Sequence, residues 1–171
     1  MMTQLEAAKN GIVTPLMKQI AAAEGIALEL LLKRIKQGTI VIPVNKRHTL
    51  KKPCGIGLGL RTKINANIGT STDKPNIKEE LKKLAVAEDY GADAIMDLSI
   101  GGDIKNIRKE ILKHTKIPLG TVPVYEISVN AHNKNKNFLK FDSDDILEVL
   151  ESKPKKGWTF LPSTAGSPEK P

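Results

Sequence analysis

Three strand-like stretches, each running into a helix, recur at a single interval along the middle of this chain. They are Lys63-Ile-Asn-Ala-Asn67-Ile-Gly69, Ala94-Ile-Met96-Asp97-Leu-Ser99 and Gly120-Thr-Val-Pro-Val-Tyr125. Asn67, Met96 and Tyr125 mark corresponding points, 29 residues apart each time. A strand–helix–strand unit takes about 30 residues, so the interval is that of consecutive units in a parallel sheet. In parallel barrels the active site is built on the carboxyl ends of the strands. An amide, a thioether and a phenol in phase with the repeat are therefore expected around one pocket mouth.

The chain has 171 residues, too few for a complete (β/α)8 barrel of about 250. The expected fold is α/β: a partial (β/α)8 TIM-type barrel of about three βα units, preceded by a helical segment. Residues 1–60 form the helical N-terminal segment. Thr14-Pro15 places an N-cap before a proline at the first helical position, and Gly25 stops that helix. A second helix spans about 27–37, with Leu28, Leu31, Leu32 and Ile35 on one face. Thr39–Pro43 reads as a short edge strand, and 45–53 as a basic loop. Residues 61–152 form the incomplete βα barrel. Asn76 opens a helix with the stripe Ile77, Leu81 and Leu84, which Gly91 ends. Asp103 caps a second, with Ile104, Ile107 and Ile111. A short helix is expected over 126–132, a polar turn over 133–137, and a last helix capped by Asp142 or Ser143 that carries Ile146, Val149 and Leu150. Alternating strands and helices without hairpin turns imply parallel pairing. Four of the ten prolines fall in the last 19 residues, and Trp158–Gly166 breaks the pattern with a mid-run proline. Residues 153–171 are expected to be an aberrant, disordered tail.

Composition excludes several functions. The net charge of +8 and 27% charged residues are compatible with a nucleic-acid binder, but no aromatics interleave the basic residues, so no nucleic acid is expected. The charge reads as a lysine-rich solvated surface that would also suit an anionic phosphorylated substrate. The single cysteine, Cys54, rules out a disulfide within the chain and points to a reducing, cytoplasmic setting. No run reaches 18 apolar residues, so no membrane helix is expected, and the first residues lack the pattern of a signal peptide.

Each site candidate also has an ordinary reading. Asn67 serves either a ligand or a structural amide bond. Met96 alone reads as core, and Tyr125 alone as core or boundary; only the shared interval groups them. Lys63, Asn65 and Asn67 lie on one strand face and are costly to bury unless satisfied. Asp97 is either a base or a carboxylate buried beside Lys63. Gly55-x-Gly57-x-Gly59 is read as loop, and Gly101-Gly102 as a tight turn rather than a phosphate site. His48, His114 and His132 lack metal spacing, and Cys54 reads as an inert thiol.

Three motifs carry a resemblance: Asn65-Ala-Asn-Ile-Gly69, Met96-Asp-Leu-Ser99 and Gly120-Thr-Val-Pro-Val-Tyr125. With Thr3–Pro15, Ile42-Pro43, Ile56-Gly57, Lys63–Ser71, Gly91–Ser99 and Pro118–Tyr125, the sequence resembles the ThiC family, phosphomethylpyrimidine synthases of thiamine biosynthesis, from residue 3 to about 152. The resemblance implies a carbon–carbon lyase. Its chemistry would use a 4Fe-4S cluster and S-adenosylmethionine to convert aminoimidazole ribonucleotide to hydroxymethylpyrimidine phosphate, with zinc as a second metal. It places the family's substrate-binding Asn, Met and Tyr on Asn67, Met96 and Tyr125. It also implies what is missing. The family's later strands, its Ile-His-Cys-Gly motif, its zinc histidines and its Cys-x-x-Cys-x-x-x-x-Cys cluster motif have no counterpart here, so no catalytic residue and no metal ligand is assigned. A family-like continuation read with one base removed after Ser152 gives residues 151–167, so the expectation is a truncated, frameshifted and inactive fragment. The alternatives are a subunit of a split enzyme completed by a second chain, or a small basic nucleic-acid binder. A homo-oligomer of the family type is expected only if the barrel is completed.

Overall fold

The computed structural model of the chain describes residues 2–45, 47–135, 137–155, 157 and 159. The N-terminal segment folds as three short helices, α1 (Gln4–Lys9), α2 (Pro15–Glu24) and α3 (Leu28–Lys36), with α3 packed on the other two. Each start and stop has a local cause. The Thr14 hydroxyl accepts from the Met17 amide at 3.2 Å, Pro15 occupies the first turn, and Gly25 closes α2 at φ 63°. The periodicity reading passed over α1, six residues held by a reciprocal cap in which Thr3 and Glu6 satisfy each other's backbone amides. Met17, Ile20, Leu31, Ile35, Ile40 and Ile42 close on Ala7 and Ala8 to form one hydrophobic core.

Strand β1 (Ile40–Val41) pairs antiparallel with β2 (Ile56–Gly57). The glycine run expected as loop therefore contributes a strand. Gly57 sits at φ 140°, and a Cβ there would stand 2.8 Å from the Ile40 Cα. Glycine is what lets the two backbones meet, and a two-residue bridge carries no alternation to detect.

The central element is a three-stranded parallel sheet in the order β3 (Asn65–Ile68), β4 (Ala94–Asp97), β5 (Leu119–Thr121). Helices α4 (Ile77–Asp89) and α5 (Ile104–His114) connect the strands, and α6 (Pro123–Asn135) and α7 (Ser143–Lys155) follow. Ile68, Ile95 and Leu119 share one sheet face and pack with Leu84 of α4 and Ile107 and Ile111 of α5 in a second core. Because side chains alternate across a strand, the register puts Asn65, Asn67, Ala94, Met96 and Gly120 on the opposite face.

Several boundaries differ from expectation. The third strand ends at Thr121, not at Tyr125, because Pro123 has no amide to give a ladder and opens α6 at its first position. α6 also runs through the expected polar turn as far as Asn135. Asp142 caps α7, its carboxylate accepting from the amides of Asp144 and Asp145 at 3.0 and 2.9 Å. α7 continues to Lys155, into the stretch set apart as a tail, and Thr159 hydrogen-bonds to both backbone groups of Leu119 on the outer edge of β5. Trp158 and residues 160–171 lie outside the described residues.

Charges join the helical segment to the sheet. The Lys63 ammonium, 8% exposed, lies 2.9 Å from the Glu24 carboxylate, itself 6% exposed. The Arg61 amide donates to Glu24 at 2.8 Å, and the Arg61 guanidinium pairs with Asp93. Asp93 also accepts from the Ile64 amide at 2.8 Å, just ahead of β3. Burial raises both carboxyls, but their cationic and amide partners outweigh it and leave both below their ordinary values.

Two outcomes follow. Ile111 is fully buried between α5 and the sheet, so Ile111→Ala should cost about 2–5 kcal/mol, read as a lowered urea midpoint. Carboxyls whose folded pKa is depressed stabilise the fold above their unfolded values and lose that contribution as pH falls through the folded ones. The stability gap between the native chain and the double variant Glu24→Gln, Asp93→Asn should therefore be present at neutral pH. It should close below the ordinary values of 4.5 and 3.8, as followed by thermal melts across that range.

Candidate functional site

The register joins two of the three site candidates directly. Asn67 on β3 is the lateral partner of Met96 on β4, and Met96 is in turn the partner of Gly120 on β5. Asn67 and Met96 each lie one residue before the end of their strands, on the face turned away from α4 and α5. The Asn67 side chain is exposed and Met96 is 8% exposed. Gly120 places no side chain on that face. Tyr125 stands at the same carboxyl end, in the first turn of α6, 42% exposed, with its amide donating to the Val122 carbonyl at 3.3 Å. The strands end at Ile68, Asp97 and Thr121, intervals of 29 and then 24 residues. Tyr125 thus keeps the sequence interval from a helix rather than a strand.

A buried polar network lies behind this face. Asp97, next to Met96, is fully buried. One of its oxygens accepts from Arg108 Nε at 2.7 Å. The other accepts from the Ser99 amide and hydroxyl at 3.0 and 2.5 Å. The Ser99 hydroxyl accepts from the Thr70 amide at 3.1 Å, and the Thr70 hydroxyl donates to the Gly101 carbonyl at 2.7 Å. These bonds knit the loop after β3 to the loop after β4. Arg108 Nη1 pairs with Glu126, the neighbour of Tyr125, and both side chains are buried. Glu80 of α4, 2% exposed, accepts from the Gly69 amide at 2.7 Å, two residues beyond Asn67. Every strand end that carries a candidate is held by a buried charge within two residues of it.

The sequence reading missed Arg108, Glu126 and Glu80, yet a signal existed for two of them. Arg108 falls four residues after Ile104 and three before Ile111, inside the apolar stripe of α5. Glu80 holds the matching place between Ile77 and Leu84 in α4. A charge on a buried stripe announces a buried partner. The expected neighbour of Asp97 is corrected by the same geometry. Lys63 sits ahead of β3 at the amino end and pairs with Glu24, so Asp97, at the carboxyl end, is buried beside Arg108 instead.

The remaining motifs fall elsewhere. Gly102 is left-handed at φ 77° and Gly101 is buried against the Ser71 carbonyl, which makes a tight turn ahead of α5. His114 approaches the Glu110 carbonyl at 2.8 Å near the end of α5, and His132 stacks on Phe138 at 4.1 Å. His48 reaches the Thr115 carbonyl at 3.4 Å, and burial lowers its pKa. Cys54 is buried, and burial pushes its thiol up, away from the thiolate a metal ligand needs. Cys54 also lines a cavity of ≈ 440 Å³ with Lys63, Asn65, Ala94 and Pro118, at the amino end of the sheet, away from the three candidates.

A 4Fe-4S cluster takes its ligands from several cysteine thiolates, and the sequence offers one cysteine. Among the described residues no three His, Cys, Asp or Glu side chains converge as a metal-ligand set. These residues do not fit a cluster or a zinc ion. Among the described residues, no helix is long and apolar enough to cross a membrane.

Comparison with known proteins agrees with the motifs. The sequence model of the radical SAM ThiC family matches residues 3–167. The phosphomethylpyrimidine synthase of Moorella thermoacetica is 50% identical over 160 residues, which are 94% of this chain and 37% of the relative. The enzyme of the same name from Thermodesulfovibrio yellowstonii is 49% identical over 169 residues, 99% of this chain and 39% of the relative. That of Methanococcus aeolicus is 48% identical over 160 residues, again 94% and 37%. The chain thus spans under two-fifths of the length of these relatives, and over that span it belongs to the radical SAM ThiC family.

Proposed function

We propose that this chain is the nucleotide-gripping part of a phosphomethylpyrimidine synthase, cytoplasmic like the lone-thiol composition suggests, whose substrate is aminoimidazole ribonucleotide. Asn67, Met96 and Tyr125 are its substrate contacts. The observation that carries this reading is the pairing of Asn67 with Met96 at the carboxyl ends of adjacent parallel strands, with Tyr125 at the same end of the third unit. The face they share is poor in large apolar groups, as a ligand-facing surface should be and a core should not. Asn67 offers an amide donor and acceptor, Tyr125 a phenol donor, and Met96 an apolar, polarisable wall for a heterocycle.

We further propose that the sheet is the first part of a (β/α)8 barrel, with residues 1–60 as a helical lead-in and 61–152 as its βα units. Two separate hydrophobic cores support that division. The radical chemistry implied by family membership needs a 4Fe-4S cluster and S-adenosylmethionine. The relatives' additional length, continuous with this chain or on a second polypeptide, is the proposed source of the cluster ligands. A small basic nucleic-acid binder is disfavoured, because the candidate site carries amides, a thioether and one phenol rather than cations interleaved with stacking rings.

Titration of aminoimidazole ribonucleotide into the full 171-residue chain, followed by calorimetry, should show saturable binding. Asn67→Ala and Tyr125→Phe should each weaken it by about three- to tenfold, the worth of one hydrogen bond. Tyr90→Phe, at an 88% exposed side chain on the far end of α4, should leave it unchanged. Absence of saturable binding, or equal losses in all three variants, would overturn the substrate reading.

A further inference from the structure

We propose that Arg108 is a positioning residue for the nucleotide site, and that through it the ends of β3 and β4 and the start of α6 respond as one unit rather than as independent segments. The inference rests on the substrate reading above, since it assigns a role to residues behind Asn67, Met96 and Tyr125. It concerns side chains that touch no ligand.

The geometry is that of a hub. Arg108 projects from α5 and is 5% exposed. Its Nε holds Asp97, which follows Met96 on β4. Its Nη1 holds Glu126, which follows Tyr125 in α6. Asp97 in turn holds Ser99, and Ser99 holds the Thr70 amide, three residues past Asn67. Other buried carboxylates each secure a single loop. Glu80 secures the Gly69 amide. Glu88 accepts from the Thr115 hydroxyl at 3.1 Å and the Lys116 amide at 2.7 Å, closing the far end of α5. Arg108 instead links a strand and a helix from different units through two carboxylates. A guanidinium suits this task because its donors are fixed in one plane, so shifting either carboxylate turns the whole fork. Both acids and the cation are out of water, where such contacts hold one geometry strictly.

Coupling makes a claim that mere structural support does not: a change made behind Tyr125 must be felt at Met96, across the sheet. The full chain carries its own reporters. Its two tyrosines are Tyr125 and the exposed Tyr90. Its described methionines are Met2, Met96 at the site, and Met17, fully buried in the separate N-terminal core. With fluorotyrosine and methyl-labelled methionine, nuclear magnetic resonance of the ligand-free chain reads each position. Glu126→Ala should displace the Met96 methyl signal as well as that of Tyr125, with Met17 and Tyr90 in place. Glu126→Gln, which keeps a carbonyl acceptor for Arg108, should restore most of the Met96 position. A Met96 signal that stays put while Tyr125 moves overturns the proposal. Should Glu126→Ala also lose the native Met17 signal, the reading passes to Ser99→Ala. There a displaced Tyr125 signal supports coupling, and an unmoved one rejects it. Aminoimidazole ribonucleotide titrated into the same variants separates the two readings. Coupling together with the substrate reading expects roughly tenfold weaker binding in Glu126→Ala. Cross-sheet displacement in a chain that binds no nucleotide would sink the substrate assignment while leaving the hub intact.

Discussion

The carboxyl end of the sheet depends on one buried guanidinium. Arg108 lies between Asp97 and Glu126 with almost no water contact. Removing either side of a buried pair typically costs about 3–5 kcal/mol, because the other charge is left uncompensated. That penalty comes from desolvation, so it acts as a strict geometric demand. The Ser99 amide and hydroxyl both donate to Asp97, and the Thr70 amide donates to the Ser99 hydroxyl. The loops after β3 and β4 are thereby drawn into one hydrogen-bonded layer, which fixes the level at which Asn67 and Met96 sit.

The two sheet faces then divide the work. Ile68, Ile95 and Leu119 point toward α4 and α5 and supply the apolar contact that holds the layers together. The other face, formed by Asn65, Asn67, Ala94, Met96 and Gly120, adds little to that core. Asn65 and Asn67 are exposed and touch each other only at 3.5 Å. Amides held this loosely keep their hydrogen-bonding capacity available. A face that contributed more to stability would be drier and tighter, and would have less to offer a polar ligand.

Much of this was legible in the sequence, for reasons that differ from element to element. Helices α2, α4 and α5 announced themselves through a cap and an apolar stripe, since Thr14, Asn76 and Asp103 each accept a backbone bond as their types suggest. Strand β4 was legible because it is buried on both faces and bounded by Gly91 and Ser99. α1 was missed because six residues give less than two full turns of periodicity. β2 was missed because its pairing partner lies elsewhere in the chain and its glycine reads as loop. Tyr125 was misassigned to a strand end because the repeat interval was allowed to outweigh Pro123, whose ring dictates a helix start. At the site, the residue types and their end of the sheet were legible. The charges behind them were only half legible: the stripes of α4 and α5 mark Glu80 and Arg108 as buried, but nothing in the pattern names Gly69, Asp97 or Glu126 as their partners.

The edges of the sheet carry the same logic outward. Among the described residues β3 pairs on one side only, with β4, and β5 meets the lone Thr159 on its outer side. Unpaired strand edges attract further strands, and here both edges belong to strands whose face turned away from α4 and α5 is polar or bare. A strand added at either edge would gain backbone hydrogen bonds and, on the helix side, apolar contact with Ile68 or Leu119. On the other side it would extend the surface that carries Asn67 and Met96. Extending the sheet and extending that face are therefore the same structural event. The contacts of Arg108 with Asp97 and Glu126 already fix the end of β4 and the start of α6 on which such an extended face would rest.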